Sequence, residues 1–226
     1  MLSPQAAKAY YDRFGRKQDS QAFYEDKATN LLFEHGRFRE ANAVFEFGAG
    51  TGRFADKLLS TYTTSTFRYV GTDISSTMVG LAAERLQRFG ERAVVRLGEG
   101  SATLPYNSGS FDRFISNYVF DLLGDEDAVT VLKEAQRILQ PGGLICLVSL
   151  ARGKSIVTKA VSSVWGMIYR INPAVVGGCR PIELGHLVRG PEWVTEFLAT
   201  VSAFGITSEV LVARKAARGG TGRSFA

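Results

Sequence analysis

From Ala43 to Leu150 short apolar runs alternate with amphipathic stretches. The runs at 43–48, 68–73, 93–97, 111–117 and 143–150 have the length of strands buried on both faces. Between the second and third, S-S-T-M-V-G-L-A-A-E-R-L-Q-R-F opens on serines that can cap a helix and places Met78, Leu81, Ala82 and Leu86 at helical spacing. A further helix is predicted from about Asp125 to Leu139, starting in acids, ending before P-G-G, with Val129, Leu132, Ala135, Ile138 and Leu139 as its apolar stripe. Strand and helix in alternation predict an α/β fold, a doubly wound parallel sheet with helices on both faces. The end of the chain departs from this rhythm. W-V-T-E-F-L-A-T-V-S and T-S-E-V-L-V-A-R-K are separated only by A-F-G-I, which leaves no room for a crossover helix and predicts an antiparallel hairpin.

Two segments stand outside the alternation. Residues 1–42 hold Tyr10, Tyr11, Phe14, Phe23, Tyr24, Phe33 and Phe38, too many aromatics for a disordered leader, so a helical cap over the C-terminal edge of the sheet is expected. Residues 151–191 hold an apolar helix, Ile156 to Ile171, followed by the loop N-P-A-V-V-G-G-C-R-P-I-E.

The first apolar run leads straight into chemistry. V-F-E-F-G-A-G-T-G-R-F-A carries an acid, Glu46, then Gly48, Gly50 and Gly52, and a helix begins near Gly52. Glycines there let the chain turn tightly and let a ligand approach main-chain N–H groups at a helix N-terminus, where negative charge is favoured. Twenty-five residues after Gly48 the second run closes in Asp73, where a carboxylate can accept hydrogen bonds from both ribose hydroxyls. A dinucleotide fingerprint wants its third glycine at position 53, which is Arg53.

The acid and glycine spacing resembles motif I of class I S-adenosylmethionine-dependent methyltransferases, and the chain looks most like their small-molecule, quinone-biosynthesis type. The resemblance implies a seven-stranded, Rossmann-like sheet with an antiparallel last strand beside the fifth. It implies that Glu46, Gly48, Ala49, Gly50 and Gly52 hold the methionine end of the cofactor and that Asp73, with Ile74, holds its ribose. The stretch R-L-G-E-G-S-A-T-L-P-Y-N-S-G-S-F-D resembles the family's adenine-binding segment imperfectly, so either Ser101 with the Ala102 amide or Glu99 would contact the adenine. Asn117 and Tyr118, after the fourth strand, would lie beside the sulfonium, which an amide oxygen tolerates and an aromatic face attracts. A strand-end cap is the plainer reading of Asn117, and a turn at the strand's start that of Asp112.

The resemblance also makes 1–42 and 151–191 an acceptor lid on a 43–214 catalytic domain. Tyr11, Phe14 and Tyr24 are lid candidates for stacking, although such stripes are more often core. Arg180 is a candidate clamp for an anionic acceptor, with an ion pair to Glu183 across Pro181 as the alternative. A general base is needed only for an acceptor that must lose a proton. His186, in the lid, is the better address of the two histidines, and His35 is expected to be solvated. Gln18 and Asp19 sit at a possible hinge.

Composition narrows the partners. The chain has 226 residues, 45% of them apolar, enough for one substantial core and too few for two α/β domains. The net charge is +5, but Arg214, Lys215, Arg218 and Arg223 fall in the last thirteen positions, which hold no acid, and the rest carries +1. Residues 215–226 are expected to be a flexible tail, and no nucleic-acid partner is expected. Cys146 and Cys179 have no metal spacing, so no metal is expected. With no apolar run long enough to span a membrane, a cytoplasmic enzyme is expected, a monomer or homodimer whose partner is a small-molecule acceptor. A nicotinamide-dependent oxidoreductase and a non-catalytic cofactor-binding regulator are the rival readings.

Overall fold

The computed structural model describes residues 1–64, 66–98, 100 and 103–216. Seven strands form one sheet in the order β3-β2-β1-β4-β5-β7-β6. They are β1 (Ala43–Phe47), β2 (Arg68–Asp73), β3 (Ala93–Leu97), β4 (Phe111–Asn117), β5 (Leu139–Leu150), β6 (Trp193–Ala203) and β7 (Ile206–Lys215). The first five are parallel, and β7 inserts antiparallel between β5 and β6. The expected doubly wound sheet with its terminal hairpin is the sheet observed.

Among the described residues seven α-helices flank it: α1 (Pro4–Phe14), α2 (Ala22–His35), α3 (Arg53–Thr61), α4 (Ser76–Leu86), α5 (Asp125–Ile138), α6 (Ile156–Ile171) and α7 (Leu184–Leu187). Local chemistry sets their ends. Ser3 and Ser75 cap α1 and α4, accepting from Ala6 N and Met78 N at 3.2 and 3.1 Å. Three acids open α5 and Arg137 closes it, both favourable to the helix dipole. Ser155 and Thr158 cap α6 reciprocally.

Side chains alternate across the sheet into two cores. On one face Phe45, Phe114, Ile145, Leu147 and Leu211 pack with α5 and with Leu184 and Val188 near α7. On the other, Val44, Ile115, Val148 and Val210 pack with Ala28 and Leu32 of α2 and Leu58 of α3. Thus α2 covers a face of the sheet near β5 and β7, beyond the edge the sequence suggested. Two boundaries also shift. β5 begins at Leu139, which pairs with Phe111 before a register break, so the P-G-G stretch lies within the strand. β7 runs through Lys215, paired with Trp193, because the hairpin extends to its last register; of the expected tail, 217–226 lie outside the described residues.

Candidate functional site

Five parallel strands point their C-terminal ends at one edge, and the loops after β1, β2 and β4 meet there. The loop after β1 is pinned to β2: the N–H groups of Gly48 and Ala49 both donate to Thr72 O, at 2.8 and 2.9 Å. Gly48 has φ +82°, and a Cβ on it would come within 2.2 Å of Val119 Cγ2, so this position requires glycine. Gly52, also left-handed, is the N-cap of α3. Ala49 is buried beneath the loop.

Glu46 sits under this loop and is 2% exposed. Tyr69 Oη donates to its Oε2 at 2.5 Å and Asn117 Nδ2 to its Oε1 at 3.1 Å. Burial pushes its carboxyl up to about 7, against the pull of those two donors. Asn117 is therefore more than a strand-end cap. Its Oδ1 is buried and has no partner. Tyr118 follows with φ +55°, its Oη 2.8 Å from Ser208 Oγ, its ring edge-on to Tyr24.

Asp73 accepts from Gly50 N through Oδ2 and from Ser75 N through Oδ1, both at 2.9 Å. These two bonds clamp the glycine loop to the start of α4, and burial raises the Asp73 carboxyl. Ile74, half-buried, follows it beside Gly98. Glu99, Ser101 and Ala102 lie outside the described residues, so the adenine-binding alternatives stay as the sequence leaves them.

A cavity of about 240 Å³ opens between this edge and the N-terminal segment. Glu46, the loop from Gly48 to Thr51, Asn117 and Tyr118 line one side; Gln18, Asp19, Glu25, Asp26 and Thr29 line the other, with Arg53 and Lys57 at its border. Four carboxylates face it against two cations. The 3-10 turn Gly15–Gln21 closes over the glycine loop, where a Cβ on Gly50 would meet Gln18 Oε1 at 3.0 Å. That Oε1 is buried without a partner. Asp19 accepts from Thr51 Oγ1 at 2.5 Å and pairs with Arg85 at 2.5 Å.

Sequence reasoning missed three of these groups. Arg53, noted only as a missing glycine, ion-pairs with both Glu25 and Asp26 and ties α2 to the start of α3. Glu25 is buried, which pushes its carboxyl up to about 7 despite Arg53. Asp121, just past Tyr118, is fully buried and pushed up to about 7 by desolvation. Its sequence signal was an acid four residues beyond the end of β4, in Y-V-F-D.

The lid candidates divide. Tyr11 reaches across to the 151–191 segment, its Oη 3.4 Å from Gly177 O and 3.9 Å from Cys179 Sγ. Tyr24 is buried against Tyr118, while Phe14 stacks on Tyr10. Arg180 is not paired with Glu183. It donates to Leu123 O at 3.1 Å and pairs with Asp125 at 2.7 Å, because its chain neighbours are held against β5 and Asp121. Its Nη2 is held by the start of α5 while its Nε is buried without a partner, and it does not line the cavity at the glycine loop. His186 is likewise off the site: it is exposed, 3.2 Å from Glu183, on a helix whose Leu184 packs across the sheet from Tyr69 and Glu46. His35 is exposed, as expected, with its ring stacked on Phe197 at 3.6 Å between centroids. Asp112 accepts from Asn42 N and Ala43 N and joins the starts of β4 and β1. Among the described residues no group of three His, Cys, Asp or Glu side chains could hold a metal ion.

Residues 45–147 match the model of a family described as a methyltransferase domain. The chain is 27% identical over 172 residues to malonyl-[acyl-carrier protein] O-methyltransferase of Erwinia pyrifoliae, covering 76% of this chain and 60% of that protein. It is 32% identical over 118 residues to non-reducing polyketide synthase trt4 of Aspergillus terreus, covering 51% of this chain and 5% of that protein. The chain thus spans less than two thirds of these curated relatives. Among solved structures, the [4+2]-cyclase SpnF superposes with a TM-score of 0.72 at 16% identity, covering 95% of this chain and 97% of that one.

Proposed function

We propose that this chain, whose residues 45–147 carry a methyltransferase domain of the class I type, binds S-adenosylmethionine and transfers its methyl group to a small organic acceptor at O, N or C. S-adenosylhomocysteine is the product. The acceptors lining the cavity carry the choice of cofactor. Glu46 under the glycine loop, the unpartnered Asn117 Oδ1 and Gln18 Oε1, and the carboxyls of the capping segment suit the ammonium and sulfonium of an amino acid joined to a sulfonium. The unpartnered Asn117 Oδ1 and Gln18 Oε1 are acceptors for such a cation's neighbouring N–H groups.

The bound cofactor supplies a methyl group on a sulfonium, already a good leaving group. The protein then has to position and desolvate. In this reading Glu46 and the glycine loop hold the amino-acid end, Asp73 keeps lone pairs for the ribose hydroxyls, and Asn117 and Tyr118 flank the sulfonium. The segment Gly15–Gln21 excludes water from the loop. Residues 1–42 act as cap and 151–191 as acceptor lid, meeting at Tyr11 and Cys179. His186 and Arg180 have no part in it. The relatives' names point to different acceptors, so the acceptor is proposed only as a small organic molecule.

The test is turnover. The full chain is incubated with S-adenosylmethionine and pooled phenols, carboxylic acids and amines, and S-adenosylhomocysteine is measured. Acceptor-dependent product that Glu46→Ala abolishes is the expected result. Cofactor binding without turnover on any acceptor favours the second reading, a non-catalytic binder.

A further inference from the structure

A large apolar face lies on a part of the molecule the cofactor cavity does not use. Along α6, Ile156, Ala160, Val164, Met167 and Ile171 are all exposed and recur at helical spacing, forming one solvent-facing stripe. Ile156 is 90% exposed and Ile171 79%. Trp165, on the opposite side, donates to Cys179 O at 2.9 Å and anchors the helix.

The tip of the β6–β7 hairpin continues this face. Gly205 lies against α6, since a Cβ on it would meet Val161 Cγ2 at 3.2 Å. Phe204 beside it has φ +52° and is 79% exposed, and the Phe23 ring sits 5.4 Å away, itself exposed. A two-residue hairpin turn with both φ values positive favours Asn-Gly. Phenylalanine there is strained, and apart from its edge-on contact with Phe23 its ring stands in water, so the turn itself does not account for it.

The charge along the α6 segment has one sign. From Ala151 to Ile182 there are five basic residues and no acid. Arg180 is paired with Asp125, but no ion pair among the described residues engages Arg152, Lys154, Lys159 or Arg170, all of them exposed. On the helical wheel Lys159 and Arg170 edge the apolar stripe.

We propose that this face docks on an anionic lipid surface. α6 has sixteen residues, too short to cross a bilayer, and lies flat with its stripe at the acyl boundary. Phe204 and Phe23 insert beside it, and Lys154, Lys159 and Arg170 meet the headgroup phosphates. A second copy of the chain fits less well, because a self-contact through this face would bring like charges together with no acid to pair them.

Co-sedimentation of the full chain with vesicles tests this. Phosphatidylcholine vesicles containing phosphatidylglycerol should retain the protein, and vesicles of phosphatidylcholine alone should retain it about tenfold less or worse. Phe204→Asn should weaken retention while keeping thermal stability and cofactor binding at or above the wild-type level, since asparagine suits the turn. Lys159→Glu with Arg170→Glu should lower retention by more than about tenfold. No retention on either vesicle, or equal retention on both, overturns the proposal. So does a dimer in sedimentation equilibrium that Met167→Glu dissociates, which would assign the face to a second copy.

Discussion

Glu46, Glu25 and Asp121 are three buried carboxyls that desolvation raises to about 7, and the pH dependence of folding stability follows from them. In the unfolded chain such groups lose their protons near pH 4. Between about 4 and 7 the folded state therefore holds more protons than the unfolded one. Their contribution to stability is complete below pH 4 and is lost as pH rises through 7. The ligand-free protein should melt lower at pH 8 than at pH 6, each group contributing about 1 kcal/mol, or ~2–4 °C, in scanning calorimetry. Glu46→Gln should flatten that slope, its amide served by the free Asn117 Oδ1 after a side-chain flip. Gly48→Ala should cost about 1–3 kcal/mol in urea unfolding, because the new methyl meets Val119 and the backbone has positive φ. That Glu46, Gly48 and Asp73 meet at one end of the sheet could be read from local spacing. Arg53 could not: its partners Glu25 and Asp26 lie on another helix, and the sequence records only that no glycine stands there. His186 misled for a related reason, since a lid loop gives no sign of which sheet face its short helix packs on.

Among the elements, the N-terminal segment governs access. Asp12 accepts from Ser75 Oγ at 2.6 Å and Thr77 N at 3.2 Å, fastening α1 to the start of α4, and Asp19 holds the next turn to Thr51 and Arg85. Arg53 holds α2. Arg53→Ala leaves Glu25 buried without its cation, so limited proteolysis within residues 15–35 should accelerate and cofactor affinity should fall about tenfold or more, read by titration. The helical cap was legible as aromatic content. Its placement was not, because packing of α2 on β5 and β7 depends on contacts between residues more than a hundred positions apart. The hairpin was legible because four residues cannot hold a crossover.

For the whole molecule, sheet order and cavity lining make one argument. The order β3-β2-β1-β4-β5-β7-β6 brings the ends of β1, β2 and β4 together, and the capping segment adds acids to that edge rather than phosphate-binding groups. Strand rhythm announced the sheet, but the set of acceptors lining the cavity is assembled from the strand ends and the capping segment together and could be seen only in three dimensions. Isothermal titration with S-adenosylhomocysteine and with a nicotinamide dinucleotide tests this most directly. One site for the first ligand, none for the second, and affinity at least about tenfold weaker in Asp73→Ala is the expected result. No binding by the wild-type chain, preference for the dinucleotide, or undiminished binding in Asp73→Ala would contradict it.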